Sequence, residues 1–188
     1  MTIAALLLAA GKSSRFGANK LLHPLHGTPI AMHAAQALKA ACPDAIAIVS
    51  PGSPLQALLE QAGLRTIVSE RAHEGMGESL KSGIAATPDA HGWLIALADM
   101  PFVQPATHAS IIATLQEGAA IAAPSYQGQR GNPVGISSRF RAELLAVSGD
   151  AGARHILKNH AYEIRMVEVD DPGVLKDIDT PGDLPVHI

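Results

Sequence analysis

Residues 6–17 read LLLAAGKSSRFG, and the fold turns on how this stretch is parsed. An apolar run stops at Gly11, and Lys12, Ser13, Ser14, Arg15, Phe16 and Gly17 follow. Three parsings compete: the core of an export signal, the end of a P-loop, or a buried strand that feeds another kind of nucleotide loop. The export signal fails on charge. No basic residue precedes Ile3–Ala10, and a secretory signal needs a positive n-region and a small-residue cleavage site. The P-loop fails on spacing. Its pattern, Gly-x-x-x-x-Gly-Lys-Ser/Thr, would put the first glycine at Leu6, inside the apolar run, where no turn can begin. The dinucleotide pattern Gly-x-Gly-x-x-Gly fails as well, because Gly11 and Gly17 are six apart with Ser13 between them.

What remains is a buried strand, Ile3–Leu8, ended by Ala-Ala-Gly. Its loop carries Lys12, Arg15 and then Lys20. The short residues Ala9, Ala10, Gly11, Ser13 and Ser14 would let a base and a triphosphate approach the backbone, whose N–H groups form an anion-binding concavity. A basic surface loop after a first strand is the competing description, and the segment alone leaves both open.

Composition agrees with a buried sheet. The chain has 188 residues, 47% of them apolar and only 3% aromatic, so Ala, Leu, Ile and Val must fill one core. One domain over residues 1–188 is expected. A net charge of −3 without long charge runs argues against a broad nucleic-acid or membrane footprint. The single cysteine, Cys42, excludes an intramolecular disulfide and a Cys-rich zinc site. The nine histidines lack metal-ligand spacing and read as surface or loop residues. No apolar stretch approaches the ~20 residues of a membrane span. A soluble cytoplasmic protein is expected.

Strand-like and helix-like segments alternate along the chain. Helices are expected over Pro29–Ala41 (Thr28 as N-cap, Pro29 at N1), Leu55–Ala62, Met76–Ala86, Gln104–Glu117, Arg139–Val147 and Ala151–Asn159. Strands are expected over Ala45–Val49, Arg65–Val68, Trp93–Ala98, Ala119–Ala123 and Tyr162–Val169. The segment from Ser125 to Ile136, rich in Gly and carrying Pro133, reads as a hairpin or ligand loop. The expected fold is α/β and Rossmann-like, a mostly parallel sheet with helices on both faces.

Asp99 stands where the apolar strand WLIALA breaks into Met-Pro. Open α/β sheets bind ligands outside the carboxyl ends of their strands. A carboxylate there suits Mg²⁺, a hard cation that keeps waters and phosphate oxygens in its shell. An N-cap role for the following helix is the alternative. In DIDTP, Asp177 and Asp179 share one face if extended and diverge in a turn. Asp179 before Thr180-Pro181 also fits an N-cap.

LAAGKSSRFGANK, residues 8–20, resembles the Leu-Ala-Ala-Gly-x-Ser-x-Arg-Met-Gly-x-x-Lys signature of the MobA-like nucleotidyltransferases, with Phe16 in place of Met. Further segments resemble the family in order: GMGESLKSG (75–83), LADMP (97–101), RGNPV (130–134), GDAGAR (149–154) and DIDTPGDL (177–184). Within the family, Ala-Ala-Gly and GDAGAR are most similar to the molybdenum cofactor cytidylyltransferases of the MocA type. The resemblance implies a nucleotide-diphospho-sugar transferase type of fold. It implies Mg²⁺-dependent attack of a molybdopterin-type cofactor's terminal phosphate on CTP. It places Asp99 and Asp179 on the metal, with Asp179 ranked above Asp177. Arg15 and Lys20 then hold the β- and γ-phosphates, and Lys12 faces solvent. With Asp99, Arg15 and Lys20 are the expected catalytic residues. Ala10 selects cytosine. Leu8, Ala9, Gly11, Ser13, Gly75 and Ser79 complete the nucleotide site, Gly75 and Ser79 near base or ribose. Arg130, Gly131, Asn132 and Pro133 line the acceptor pocket. Asp150 and Arg154 cap or pair locally. Met76 and Met100 are packing residues. A molybdenum hydroxylase is the implied oxidoreductase partner. The alternatives are a GTP-dependent or sugar-phosphate enzyme of the same fold, and a non-catalytic carrier of the molybdenum cofactor.

Overall fold

The computed structural model describes residues 1–11, 16 and 19–185. Lys12, Ser13, Ser14 and Arg15 lie outside the described residues, so the expectations placed on them are not addressed by the fold. The first strand is β1 (Ile3–Leu8), buried along most of its length. The chain continues through β2 (Pro24–Leu25), β3 (Thr28–Pro29), α1 (Ile30–Ala41), β4 (Ile46–Val49), α2 (Leu55–Gln61), β5 (Arg65–Val68) and α3 (Met76–Ala85). Then come β6 (Gly92–Leu97), α4 (Pro105–Gln116), β7 (Ile121–Tyr126), β8 (Gln129–Arg130), β9 (Val134–Ser137), α5 (Arg141–Ala146), α6 (Arg154–Asn159) and β10 (Ile164–Glu168). The main sheet runs β10-β7-β9-β6-β1-β4-β5, with β8 on β7. Among the described residues its antiparallel pairs are β6–β9, β7–β9 and β7–β8, and its other pairs are parallel.

Alternation along β1 explains why both faces are covered, since successive side chains of a strand point to opposite sides. Ala5, Leu7 and Ala9 join Ala35 and Leu38 of α1, Leu59 of α2 and Ile111 of α4. Leu6 and Leu8 join Leu80 and Ile84 of α3, Leu144 of α5 and Ile156 of α6. This is the Rossmann-like α/β architecture that the alternation of segments predicts. Leu6 is fully buried in mid-strand, as the rejection of a P-loop requires. No helix among the described residues is long and apolar enough to cross a membrane.

Local differences from expectation have physical causes. Pro29 does not open α1; its ψ of 140° keeps it extended, and it pairs with Pro24 in a small hairpin. His26 and Gly27, both at positive φ, make the two-residue turn, the geometry that twisted strands favour. The Ser125–Ile136 segment is a hairpin at Gln127-Gly128 followed by β9, which inserts between β6 and β7. The two late helices are shorter than expected, each preceded by a 3₁₀ turn. Among the described histidines, His108, on α4, departs from the surface pattern and is buried.

Asp171 explains how α4 is anchored. This buried carboxylate accepts from the Gln104 N–H (2.9 Å) and Thr107 Oγ1 (2.6 Å) at the start of α4, and from the Gly173 N–H (2.9 Å) in its own turn. Negative charge at a helix N-terminus is favourable. His108 follows directly, and its Nδ1 has no hydrogen-bond partner in the structure. Burial pushes its pKa from 6.5 down to about 4, and the Asp171 charge offsets this only in part. In unfolded chain the same ring takes up a proton near its ordinary value. The unfolded state therefore binds more protons between about pH 6.5 and 4, and stability must fall as pH drops through that window, by ~3 kcal/mol. Replacing His108 by Leu removes this component and leaves no buried nitrogen unpaired. Urea unfolding of both proteins from pH 7 to pH 4 should show a shallower acid dependence for His108→Leu and no loss of stability at pH 7.

Candidate active site

From β1 the chain winds outward to β4 and β5, then returns to place β6 on the other side of β1. That reversal makes the carboxyl ends of β1 and β6 the topological switch point, where open α/β sheets leave a crevice. The main chain is held up to its rim. Ala9 N–H donates to Ile48 O (2.8 Å), and Ala98 N–H donates to Leu8 O (3.1 Å). Ala10 and Gly11 therefore emerge beside Asp99. Leu8, Ala9 and Ala10 are buried and Gly11 is exposed.

A second layer brings in the C-terminal segment. Phe16, Leu25, Ile30 and Ile178 form a small apolar cluster. Ile178 also donates its N–H to Asp99 O (2.9 Å). The residues on either side of this buried side chain then separate: Asp177 is exposed, and Asp179 turns to the crevice. There the Lys20 ammonium lies 2.8 Å from Asp99 Oδ2 and 2.8 Å from Asp179 Oδ1. The Lys20 side chain is 10% exposed, against 24% and 28% for the carboxylates. Burial pulls the Lys20 pKa down, but the hydrogen bonds to Asp179 and Asp99 and their charges outweigh it, and the ammonium sits above the usual lysine value.

Neither aspartate is a helix cap. The N-cap position of α4 is Gln104, and Asp171 supplies the capping carboxylate. In the last motif Thr180 is the N-cap, with Pro181 next. Asp183 Oδ2 accepts from Asp179 N–H (3.0 Å), Thr180 N–H (2.7 Å) and Thr180 Oγ1 (2.9 Å). Those bonds, the Thr180 N–H first, hold the Asp183 carboxyl below its usual pKa. Two hard oxygen donors meeting around one cation are a donor set that Mg²⁺ accepts, because it takes the rest of its shell from phosphates and water. No group of three or more His, Cys, Asp or Glu able to hold a metal occurs among the described residues. Among the described residues these two carboxylates do not make a closed structural metal site.

The other motifs pack around this centre. Gly75, at φ 128°, opens α3, and a Cβ there would lie 2.4 Å from the Gly149 carbonyl carbon. GMGESLKSG thus meets GDAGAR, an approach that a side chain at Gly75 would block. Ser79 is buried on α3. Asp150 and Arg154 are exposed and make no ion pair with each other. Arg130 is exposed on β8. Gly131 N–H donates to Pro124 O (2.9 Å), and Asn132 N–H to Val174 O (3.0 Å). The Asn132–Pro133 peptide is cis. Asn132 and Pro133 line a small pocket with Leu97, Met100 and His108, which connects the loop to the end of β6. Met100 is buried there as a packing residue, whereas Met76 is half-buried beside Gly152.

Sequence reasoning missed Asp171 and Asp183. The second had a signal: Thr180-x-x-Asp183 is a capping-box pattern. The first had none, because Asp171 caps a helix 64 residues or more away in the chain.

The profile of the MobA-like NTP transferase domain matches residues 5–164. The chain is 32% identical to the purine catabolism protein PucB of Bacillus subtilis, covering 94% of this chain and 91% of PucB. It is 29% identical to nicotine blue oxidoreductase of Paenarthrobacter nicotinovorans, over 95% and 92% of the two chains. Among solved structures it is similar to Rv0371c of Mycobacterium tuberculosis H37Rv, with a TM-score of 0.82, 28% identity and coverage of 97% and 94%. A manganese complex of Rv0371c is also similar, with a TM-score of 0.78, 26% identity and coverage of 97% and 96%.

Gly75 and Gly11 should separate packing from exposure. Gly75→Ala combines positive φ with a backbone clash and should destabilise the fold by roughly 2–3 kcal/mol. A Cβ at Gly11 meets nothing within 4 Å, so Gly11→Ala should stay within about 0.5 kcal/mol of the parent. Urea unfolding midpoints of the two variants check this.

Proposed function

The chain belongs to the MobA-like NTP transferase family, and on that premise we propose that it transfers a cytidylyl group from CTP to the terminal phosphate of a molybdopterin-type molybdenum cofactor. An oxygen of the acceptor phosphate attacks the α-phosphorus of CTP. A new P–O bond forms, the bond to the β-phosphate oxygen breaks, and pyrophosphate leaves with that electron pair. The attacking monoester is largely ionised near neutral pH, so no side chain has to remove a proton. Catalysis then consists of positioning and charge neutralisation.

The observation that carries this reading is the meeting of Asp99 and Asp179 at the switch point, beside the end of β1. The two carboxylates would hold Mg²⁺, which when bound neutralises charge on the reacting phosphates. Arg15 and Lys20 hold the β- and γ-phosphates. Leu8, Ala9, Gly11 and Ser13 present backbone and short side chains to the nucleotide, and Ala10, whose methyl takes up space that a glycine would leave open, favours cytosine over guanine. Gly75 and Ser79 approach base and ribose from α3. Arg130 faces the acceptor phosphate, and Gly131, Asn132 and Pro133 shape its pocket. Residues 1–188 act as one domain, in the cytoplasm, and the product passes to a molybdenum hydroxylase.

Pyrophosphate release, measured with each of the four NTPs, with and without molybdopterin cofactor, tests the reading. Release is expected only with CTP and cofactor together. Equal turnover of CTP and GTP would overturn the cytidylyl assignment, and no release with any NTP would favour a carrier. Asp99→Ala should lower the rate ~10²–10³-fold, the size of effect seen when one preorganised electrostatic contact is removed.

A further inference from the structure

Phosphate binding leaves the observed partners of Lys20 unexplained. Its ammonium is not directed at an open anion site but lies 2.8 Å from each of the two carboxylate oxygens, Asp99 Oδ2 and Asp179 Oδ1. We infer that Lys20 is an internal counter-ion for the acidic pair, which competes with the divalent cation and gives up the pair when a triphosphate draws the ammonium away. The inference rests on the reading of Asp99 and Asp179 as metal-holding residues.

Three observations support it. The carboxylates belong to parts of the chain that are tightly fixed. Asp99 follows β6 and its carbonyl is bonded to Ile178 N–H, while Asp179 N–H is bonded to Asp183. The mobile component is therefore the lysine stem, a compact point charge on a flexible four-carbon chain. The pair also keeps a solvent-facing side, since both carboxylates are about a quarter exposed. A cation and a phosphate can enter there without displacing the backbone. Finally, a lysine and a divalent ion cannot both lie between the same oxygens, because like charges at that separation repel strongly. Metal alone must displace Lys20 into solvent. Metal with triphosphate lets Lys20 exchange two carboxylates for phosphate oxygens. Metal and nucleotide binding are then positively coupled, and by linkage each raises the affinity of the other by the same factor.

The decisive measurement is Mn²⁺ binding without nucleotide, read by electron paramagnetic resonance on the full chain. Lys20→Gln should bind Mn²⁺ roughly tenfold or more tighter than the parent, although it has lost a phosphate contact. Adding Asp99→Asn to that variant should abolish the gain. If Lys20→Gln binds Mn²⁺ no tighter than the parent while Asp99→Asn still abolishes binding, the metal site stands and the counter-ion role is overturned. If Asp99→Asn changes nothing in either background, the metal reading fails and this inference falls with it. A measurement on the unaltered protein keeps the test open should Lys20→Gln not fold. In ¹⁵N-lysine-labelled protein the protected Lys20 ammonium signal should be lost at a lower Mg²⁺ concentration with CTP present than without it. A Lys20 signal that stays unchanged at saturating Mg²⁺, or the same Mg²⁺ midpoint with and without CTP, would overturn the inference.

Discussion

The parallel pairing of β1 with β6 is the constraint on which the site depends. Six residues pair in register, from Ile3 with Gly92 to Leu8 with Leu97. Parallel register means that both strands end on the same edge of the sheet. The Ala-Ala-Gly turn and Asp99 are therefore neighbours although they are about half the chain apart. An antiparallel arrangement of the same two apolar strands would bury them equally well and would send Asp99 to the opposite edge. The helices on both faces stabilise the parallel form, because each strand alternates side chains into two separate apolar layers.

Electrostatics then sorts aspartates that are chemically alike. Asp171 and Asp183 accept backbone N–H bonds and act as anchors: the first fixes the start of α4, the second fixes the loop that carries Asp179. Asp177 faces solvent. Among the described aspartates, Asp99 and Asp179 are the pair that meets across a cation, Lys20. Partly buried ion pairs are weak sources of stability, because desolvation offsets much of the attraction.

Much of this was legible from local patterns. The run ending in Ala9-Ala10-Gly11, the break at Asp99-Met100-Pro101 and the alternation of apolar segments each carry a local physical signal. So does the hairpin character of Ser125–Ile136. The capping alternatives for Asp99 and Asp179 were equally consistent with those signals, since an aspartate before Thr-Pro or Met-Pro suits a cap or a ligand alike. His108 and Asp171 were not legible. A histidine in an apolar-periodic helix does not reveal whether its face is covered, and Asp171 reaches its partners only through folding.

From the sequence alone follow the strand-and-loop order, the rejection of P-loop and dinucleotide patterns, and the identity of the candidate carboxylates. These depend on neighbours within a few residues, where steric and hydrogen-bonding preferences act directly. The tertiary structure decided which aspartate each backbone amide claims, that Lys20 lies between Asp99 and Asp179, and that the Gly75 turn packs on Gly149. Apart from the local Asp183 and Gly173 bonds, those contacts join segments 64 residues or more apart in the chain. They exist only because a parallel sheet delivers its strand ends to one edge, and because Ile178, buried with Phe16, Leu25 and Ile30, ties the last motif across it.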